Sequence, residues 1–159
     1  MKTVVLVACV AGKNTKPAPA KDLYDSDLFH KSMAYANKLT DEDNIYILSA
    51  KHHLLPVNKV IAPYDMTLKD FTAEEKQEWS DIVLNNLKKR YDINKTKFVF
   101  LAGEAYKKYL EPELPHTVSP LKGLRIGQQK QRLGQLISEI FQKIKKIVLE
   151  EIKKFKKWN

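Results

Sequence analysis

Thr3-Val4-Val5-Leu6-Val7-Ala8-Cys9, with Gly12-Lys13-Asn14 close behind it, is the stretch on which the fold turns. An unbroken run of β-branched and aliphatic residues, ended by a polar loop, reads as a strand buried on both faces, the kind found in parallel sheets. The run is too short to cross a membrane. Ala8 and Ala11 imitate a secretory cleavage site only weakly, so the strand reading is preferred.

Two further segments share this pattern, Asn44–Ser49 and Lys97–Leu101, each rich in Val, Ile, Tyr or Phe and each ending at a polar or glycine-bearing turn. Between them the spacing predicts helices. Leu28–Leu39 is entered through Asp25-Ser26, which can cap it. Ala73–Tyr91 opens with a capping box, Thr72 and Glu75, and carries Trp79, Ile82, Val83, Leu87 and Tyr91 at helical intervals. A short helix, Glu104–Leu110, is expected to stop at Pro112. The last helix starts near Gly127 and bears one stripe, Ile137, Ile140, Phe141, Ile144, Val148, Ile152 and Phe155, with Gly134 as a point of bending or interruption.

Strands alternating with helices predict a single α/β domain, a largely parallel sheet flanked by helices, with a long basic C-terminal helix. The domain is expected over 1–138. Residues 139–159 are expected as a basic amphipathic helix packed on it, its far end meeting a partner chain or staying a basic tail. In such sheets the ligand crevice lies outside the carboxyl ends of the strands. The unusual polar residues fall there: Cys9 to Lys13, Ser49 to His53, and Gly103-Glu104.

Length and composition agree with one globular domain: 159 residues, 43% apolar and 30% charged. A single cysteine excludes an internal disulfide and any multi-cysteine metal site within one chain, and it suits a reducing, cytoplasmic setting. The formal charge is +9, and the segment from Glu139 to Asn159 holds seven lysines against three glutamates. Such a tail attracts polyanions, nucleic acid or an acidic membrane surface, or it is a solvated lysine face. With no stretch of membrane length, no membrane is expected among the partners. An oligomer through the last helix is open.

Two loops carry most of the candidate chemistry. The first, from Cys9 to Ala20, has neither a phosphate-loop ending nor a dinucleotide fingerprint, so no cofactor is expected. Cys9 is a nucleophile if Lys13 or a helix terminus lowers its pKa, and otherwise a small buried residue closing the strand. The second is Ser49-Ala50-Lys51-His52-His53. A Lys-His-His cluster straight after an apolar strand is not core filler. His52 suits proton transfer near neutral pH, and Lys51 suits a phosphate or carboxylate. A metal would need further ligands, His116 or Asp65, and adjacent histidines on extended backbone point apart; no metal is expected. Tyr64 and Asp65, in a proline-initiated turn, either orient a substrate or form a structural turn. Tyr24 and Ser26 lead into the first helix, whose free N–H groups can meet an anion. Lys122 and Arg125, with Ser119 and Gly123, either cradle a phosphate or belong to a plain connecting loop.

Taken together these motifs resemble a small bacterial and phage family of unassigned function. The residues that carry the resemblance are Cys9, Lys13, Pro19-Ala20, Leu23-Tyr24, Ser26 and Leu28-Phe29; Ile47 to His52 with Leu54-Leu55; Pro63 to Asp65 with Thr67-Leu68; Leu101 to Gly103 with Tyr106; and Pro120 to Gly127. It covers most of residues 4–137. One departure is His53, where glycine is expected after Lys-His; if that glycine takes a positive φ, His53 is strained. Cys9, Lys13 or Lys16, Tyr24, Ser26 and His30 are also similar to a loop in the core domain of archaeosine synthase, apart from the inserted residues 15–22. His116 with Ser119-Pro120-Leu121 is similar to the His-Pro-Ser-Pro-Leu loop of uracil-DNA glycosylases, broken by Thr117-Val118. Both relatives act on nucleobases in nucleic acid on related α/β sheets, so the resemblance implies a uracil-DNA glycosylase-like or related Rossmann-like three-layer fold.

The expectation that follows is an enzyme acting on a nucleobase or nucleotide, a base-modifying transferase or a glycosylase-like hydrolase. Cys9, Lys13, Lys51 and His52 would be catalytic, and Tyr24, Ser26, Ser49, Tyr64, Asp65 and Gly103 would hold the substrate. Lys122 and Arg125 would take phosphate. Two rivals remain open: a non-catalytic nucleic-acid-binding protein, and an interaction protein acting through its last helix.

Overall fold

The opening run forms the central strand of the sheet. The computed structural model describes residues 1–9 and 14–158. In chain order its elements are β1 (Lys2–Ala8), β2 (Ala18–Pro19), α1 (Ala20–Leu23), α2 (Asp27–Leu39), β3 (Ile45–Ser49), β4 (His53–Pro56), β5 (Val60–Ile61), α3 (Ala73–Arg90), β6 (Thr96–Leu101), α4 (Glu104–Lys107), β7 (Thr117–Val118) and α5 (Ile126–Trp158). Among the described residues the main sheet runs β4-β3-β1-β6-β7, parallel except for β4, which is antiparallel to β3. The fold is therefore α/β, with β2 and β5 as a small antiparallel pair beside it.

Burial on both faces follows from alternation along β1. Val5 and Val7 enter a core with Phe29 and Met33 of α2 and Leu133 of α5. Val4 and Leu6 enter the opposite core with Trp79, Val83 and Leu87 of α3. Each such side chain contributes about 1.5–3 kcal/mol by leaving water. An aspartate at Val5 would put an unpaired charge into that layer and break the sheet at its centre.

The capping signals work as their chemistry requires. Ser26 accepts from the Phe29 N–H at 3.1 Å at the head of α2. Thr72 and Glu75 form the reciprocal capping box of α3 at 3.1 and 2.9 Å. The stripe of α3 buries Trp79, Val83 and Leu87, while Ile82 stays exposed.

Several features differ from the sequence expectation. β4 and β7 are additional strands: Lys51-His52 is the turn that folds the chain back onto β3, so the segment after it pairs as an edge strand. The helix at Glu104 ends at Lys107, and Pro112 sits in a 3-10 turn, Glu111–Glu113, after it. Gly134 does not interrupt α5, which is continuous across residues 138 and 139. Its burial stops near Ile140, and residues 141–158 are exposed.

Topology opens a crevice at one place. From β1 the chain passes through α2 to β3 on one side of the sheet, whereas from β6 it passes through α4 to β7 on the other. The connections leaving the carboxyl ends of adjacent β1 and β6 therefore diverge, and ligands bind at such switch points.

Candidate functional site

A cavity of about 560 Å³ occupies that crevice. Its floor is Ala8 and Cys9 at the end of β1, and one wall is Leu101 to Tyr106, leaving β6. The opposite wall is the first turn of α2, with Ser26 and Phe29, and the first turn of α5, with Gln129 and Lys130. Lys69 stands at the rim from a 3-10 turn, Leu68–Asp70. The lining is mainly apolar, with a few polar groups converging on it, and the volume falls within the usual range for small-molecule sites, about 300–1,000 Å³.

Cys9 is half-buried, and its Sγ lies 3.2 Å from the Tyr106 hydroxyl. The Tyr106 phenol is held well above its ordinary pKa, chiefly by burial and then by the Cys9 charge; the Leu68 backbone and Thr67 side chain act in the opposite sense. Tyr106 therefore keeps its proton at neutral pH and can give the Cys9 sulfur a hydrogen bond. Its ring rests edge-on against Trp79, 5.6 Å between centroids, and the Trp79 indole N–H donates to the Ser49 carbonyl at 2.9 Å.

Behind Cys9 lies a buried hydroxyl network. The Tyr64 hydroxyl bonds both Tyr24 and Ser49, the latter at 2.7 Å, and Ser49 Oγ accepts from the His52 N–H at 3.0 Å. Burial and the Cys9 charge raise both phenols, with Tyr24 pushed up to about 12 and Tyr64 raised further, so both remain hydroxyls. The His52 ring packs edge-on against Tyr64 at 5.3 Å, and its Nε2 is buried with no hydrogen-bond partner among the described residues. Burial first, then the charges of Lys51, Lys59 and His53, hold its pKa below the ordinary imidazole value, so it is neutral at pH 7.

The structure thus divides the sequence candidates. Cys9, Ser26 and Gly103 line the cleft. A Cβ built on Gly103 meets nothing within 4 Å, so this position faces open space. Tyr24, Ser49 and Tyr64 lie in the network beside Cys9 and are not part of the lining. Lys51 and Asp65 are exposed, and neither lines the cleft. Lys122 and Arg125 are exposed at the approach to α5, with Lys122 on a separate shallow depression. Lys13 lies outside the described residues. Among the described residues no three His, Cys, Asp or Glu side chains are grouped to hold a metal.

Sequence reasoning placed Tyr106 in the family motif but not in the site, and singled out neither Lys69 nor Lys130. Tyr106 had a signal: it stands three residues after Gly103, one helical turn from a glycine already placed at a strand end. Lys130 had none, because its approach to the cleft depends on α5 packing against α2, where its Nζ lies 3.7 Å from Asp27.

Comparison with known proteins gives the chain a family but no reaction. No curated protein and no solved structure matches the chain. Residues 4–135, which run from within β1 to the first turns of α5 and contain every described lining residue of the cleft, match the family described as "Family of unknown function (DUF6884)". The chain belongs to that family.

Proposed function

We propose that this protein is an enzyme acting on a nucleobase, free in a nucleotide or carried in nucleic acid, and that the base enters the cleft between β1 and β6. The observation that carries the reading is the half-buried Cys9 thiol on the floor of a ligand-sized cavity at the switch point, hydrogen-bonded to a tyrosine that stays protonated. Cys9 would add to an electrophilic ring carbon of the base, the S–C bond forming as the ring C=N π pair moves onto nitrogen and takes a proton from water, and the Tyr106 hydroxyl would stabilise the negative sulfur before attack. The apolar walls suit a planar ring. Lys69, Lys130 and the first turn of α2 suit an anionic substituent such as a phosphate. A net charge of +9, and the resemblance of Cys9, Tyr24 and Ser26 to a loop of archaeosine synthase, support the choice of substrate class.

The test is mass spectrometry of nucleosides from cells with and without the protein, with Cys9→Ser as the control. A modified or missing base that depends on Cys9 is the expected result. Nucleic-acid binding that survives Cys9→Ser, with no altered base, would replace the enzyme by a binding protein.

A further inference from the structure

We propose that the far half of α5 lies on an anionic membrane surface, its apolar face in the interfacial layer and its lysines on the lipid phosphates. The proposal is independent of how the cleft is read. Every residue from Phe141 to Trp158 is exposed, although Phe141, Ile144, Val148, Ile152 and Phe155 form one face. Phe155 is 70% and Trp158 90% exposed, a heavy cost in water for aromatic rings with no other role in the fold. At about 1.5 Å per residue this half-helix is about 27 Å long. At its base Lys38 of α2 stands 5.9 Å over the Phe141 ring.

Charge selects the occupant. Ile137, Phe141 and Ile144 recur eleven residues later as Val148, Ile152 and Phe155, while Ile137 and Ile144, and Phe141, Val148 and Phe155, also stand seven apart, so the spacing fits a flat surface and a partner helix alike. Seven lysines against three glutamates flank and back the stripe, so a second copy laid face to face would bring like charges together. Glu151, seven residues after Ile144 and seven before Trp158, is a carboxylate within this face and is paired with Lys154 at 3.4 Å. Nucleic acid would satisfy the lysines and leave the aromatic residues in water. An anionic lipid interface meets both demands. No helix among the described residues is long and apolar enough to cross a membrane. The expectation of no membrane partner rested on that missing span, and a helix lying in the interface does not require one.

The experiment uses the full-length protein with vesicles of phosphatidylcholine alone and with about one lipid in three replaced by phosphatidylglycerol. Sedimentation reads binding, and tryptophan emission reads insertion: Trp79 is buried, so a blue shift belongs to Trp158. Affinity is expected to be at least about tenfold higher on the anionic vesicles, with a blue shift, and to fall with salt. Ile144→Asp with Val148→Asp should abolish insertion while Trp79 emission still reports a folded core. Replacing Lys153, Lys154, Lys156 and Lys157 by Gln should remove the preference for anionic lipid. Equal binding to both vesicles, or none, overturns the proposal. So does a lipid-free dimer, or a nucleic-acid complex, that shifts Trp158 when vesicles do not.

Discussion

The carboxyl ends of β1 and β3 lie side by side in the sheet, yet only the first opens on the cleft. At β3 the chain turns back at once through Lys51-His52 into β4, and the Ser49 hydroxyl and carbonyl are taken up by Tyr64, His52 and Trp79. At β1 the neighbouring strand is β6, whose connection leaves the opposite way, and the space between stays open. The end of β3 carries more polar and charged residues. The end of β1 has the cavity. What places a ligand site is the divergence of connections, not the density of chemistry-bearing side chains.

Substitution at both ends breaks or sharpens this contrast, and the largest effect is expected at Cys9. Cys9→Ser keeps the shape of the side chain and its bond to Tyr106 but removes the thiol, so turnover should fall about a thousandfold or more with melting unchanged. Lys51→Ala, exposed and outside the lining, should change turnover by no more than about threefold. Steady-state kinetics on the base identified in cells checks both. If Lys51→Ala proves the more damaging, the substrate reaches the β3 end and the cleft is not the whole site.

The next effect is on stability, because one side chain joins the two ends. Trp79 is buried, donates to the Ser49 carbonyl, and supports Tyr106 under Cys9. Trp79→Ala should cost about 3–5 kcal/mol in urea unfolding. Ser49→Ala strands the His52 N–H and part of Tyr64, and should cost about 1–3 kcal/mol. A Trp79 variant that loses stability but leaves Cys9 alkylation rates untouched would show the two ends to be mechanically separate.

Much of this arrangement is legible in the chain itself. Val4 to Val7 announce a central strand because only a strand covered on both faces tolerates an unbroken aliphatic run. Ser26, Thr72 and Glu75 announce helix starts because capping is local chemistry. Tyr64 stands 15 residues from Ser49 and 40 from Tyr24, and nothing local says that their hydroxyls meet. The same holds for Lys130, which arrives through helix packing. β4 was hidden because Lys51-His52-His53 reads as an exposed polar turn, and pairing with β3 depends on what that turn does to the backbone.

Titration offers a finer probe of the β3 end. The His52 imidazole has a folded pKa below its ordinary 6.5, through burial and then the nearby cations, and burial acts on His53 in the same direction. As pH falls the unfolded chain takes these protons first. Stability is therefore fully present above about pH 6.5, declines from there to the folded pKa, and levels off below it. His52→Asn should flatten part of this loss, as measured by melting temperature between pH 8 and pH 5 buffers, whereas Cys9→Ser should leave its slope unchanged. An equal acid loss in the Asn variant would mean that His52 contributes nothing to it.

The smallest effect is expected one residue on. His53 has φ of 60°, the only positive φ at a non-glycine residue among those described, at the position where the family resemblance leads one to expect glycine. A side chain in the left-handed region costs about 1–2 kcal/mol, and glycine returns part of that gain as extra freedom in the unfolded chain. His53→Gly should therefore stabilise the protein by about 0.5–1 kcal/mol at pH 8, where both imidazoles are neutral. His53→Ala keeps the Cβ and should show no such gain. If glycine and alanine behave alike, the turn stores no strain, and His53 is held there by its side-chain packing instead. If glycine stabilises and turnover is unchanged, the β3 turn is a structural closure whose backbone this chain can relax without touching the cleft.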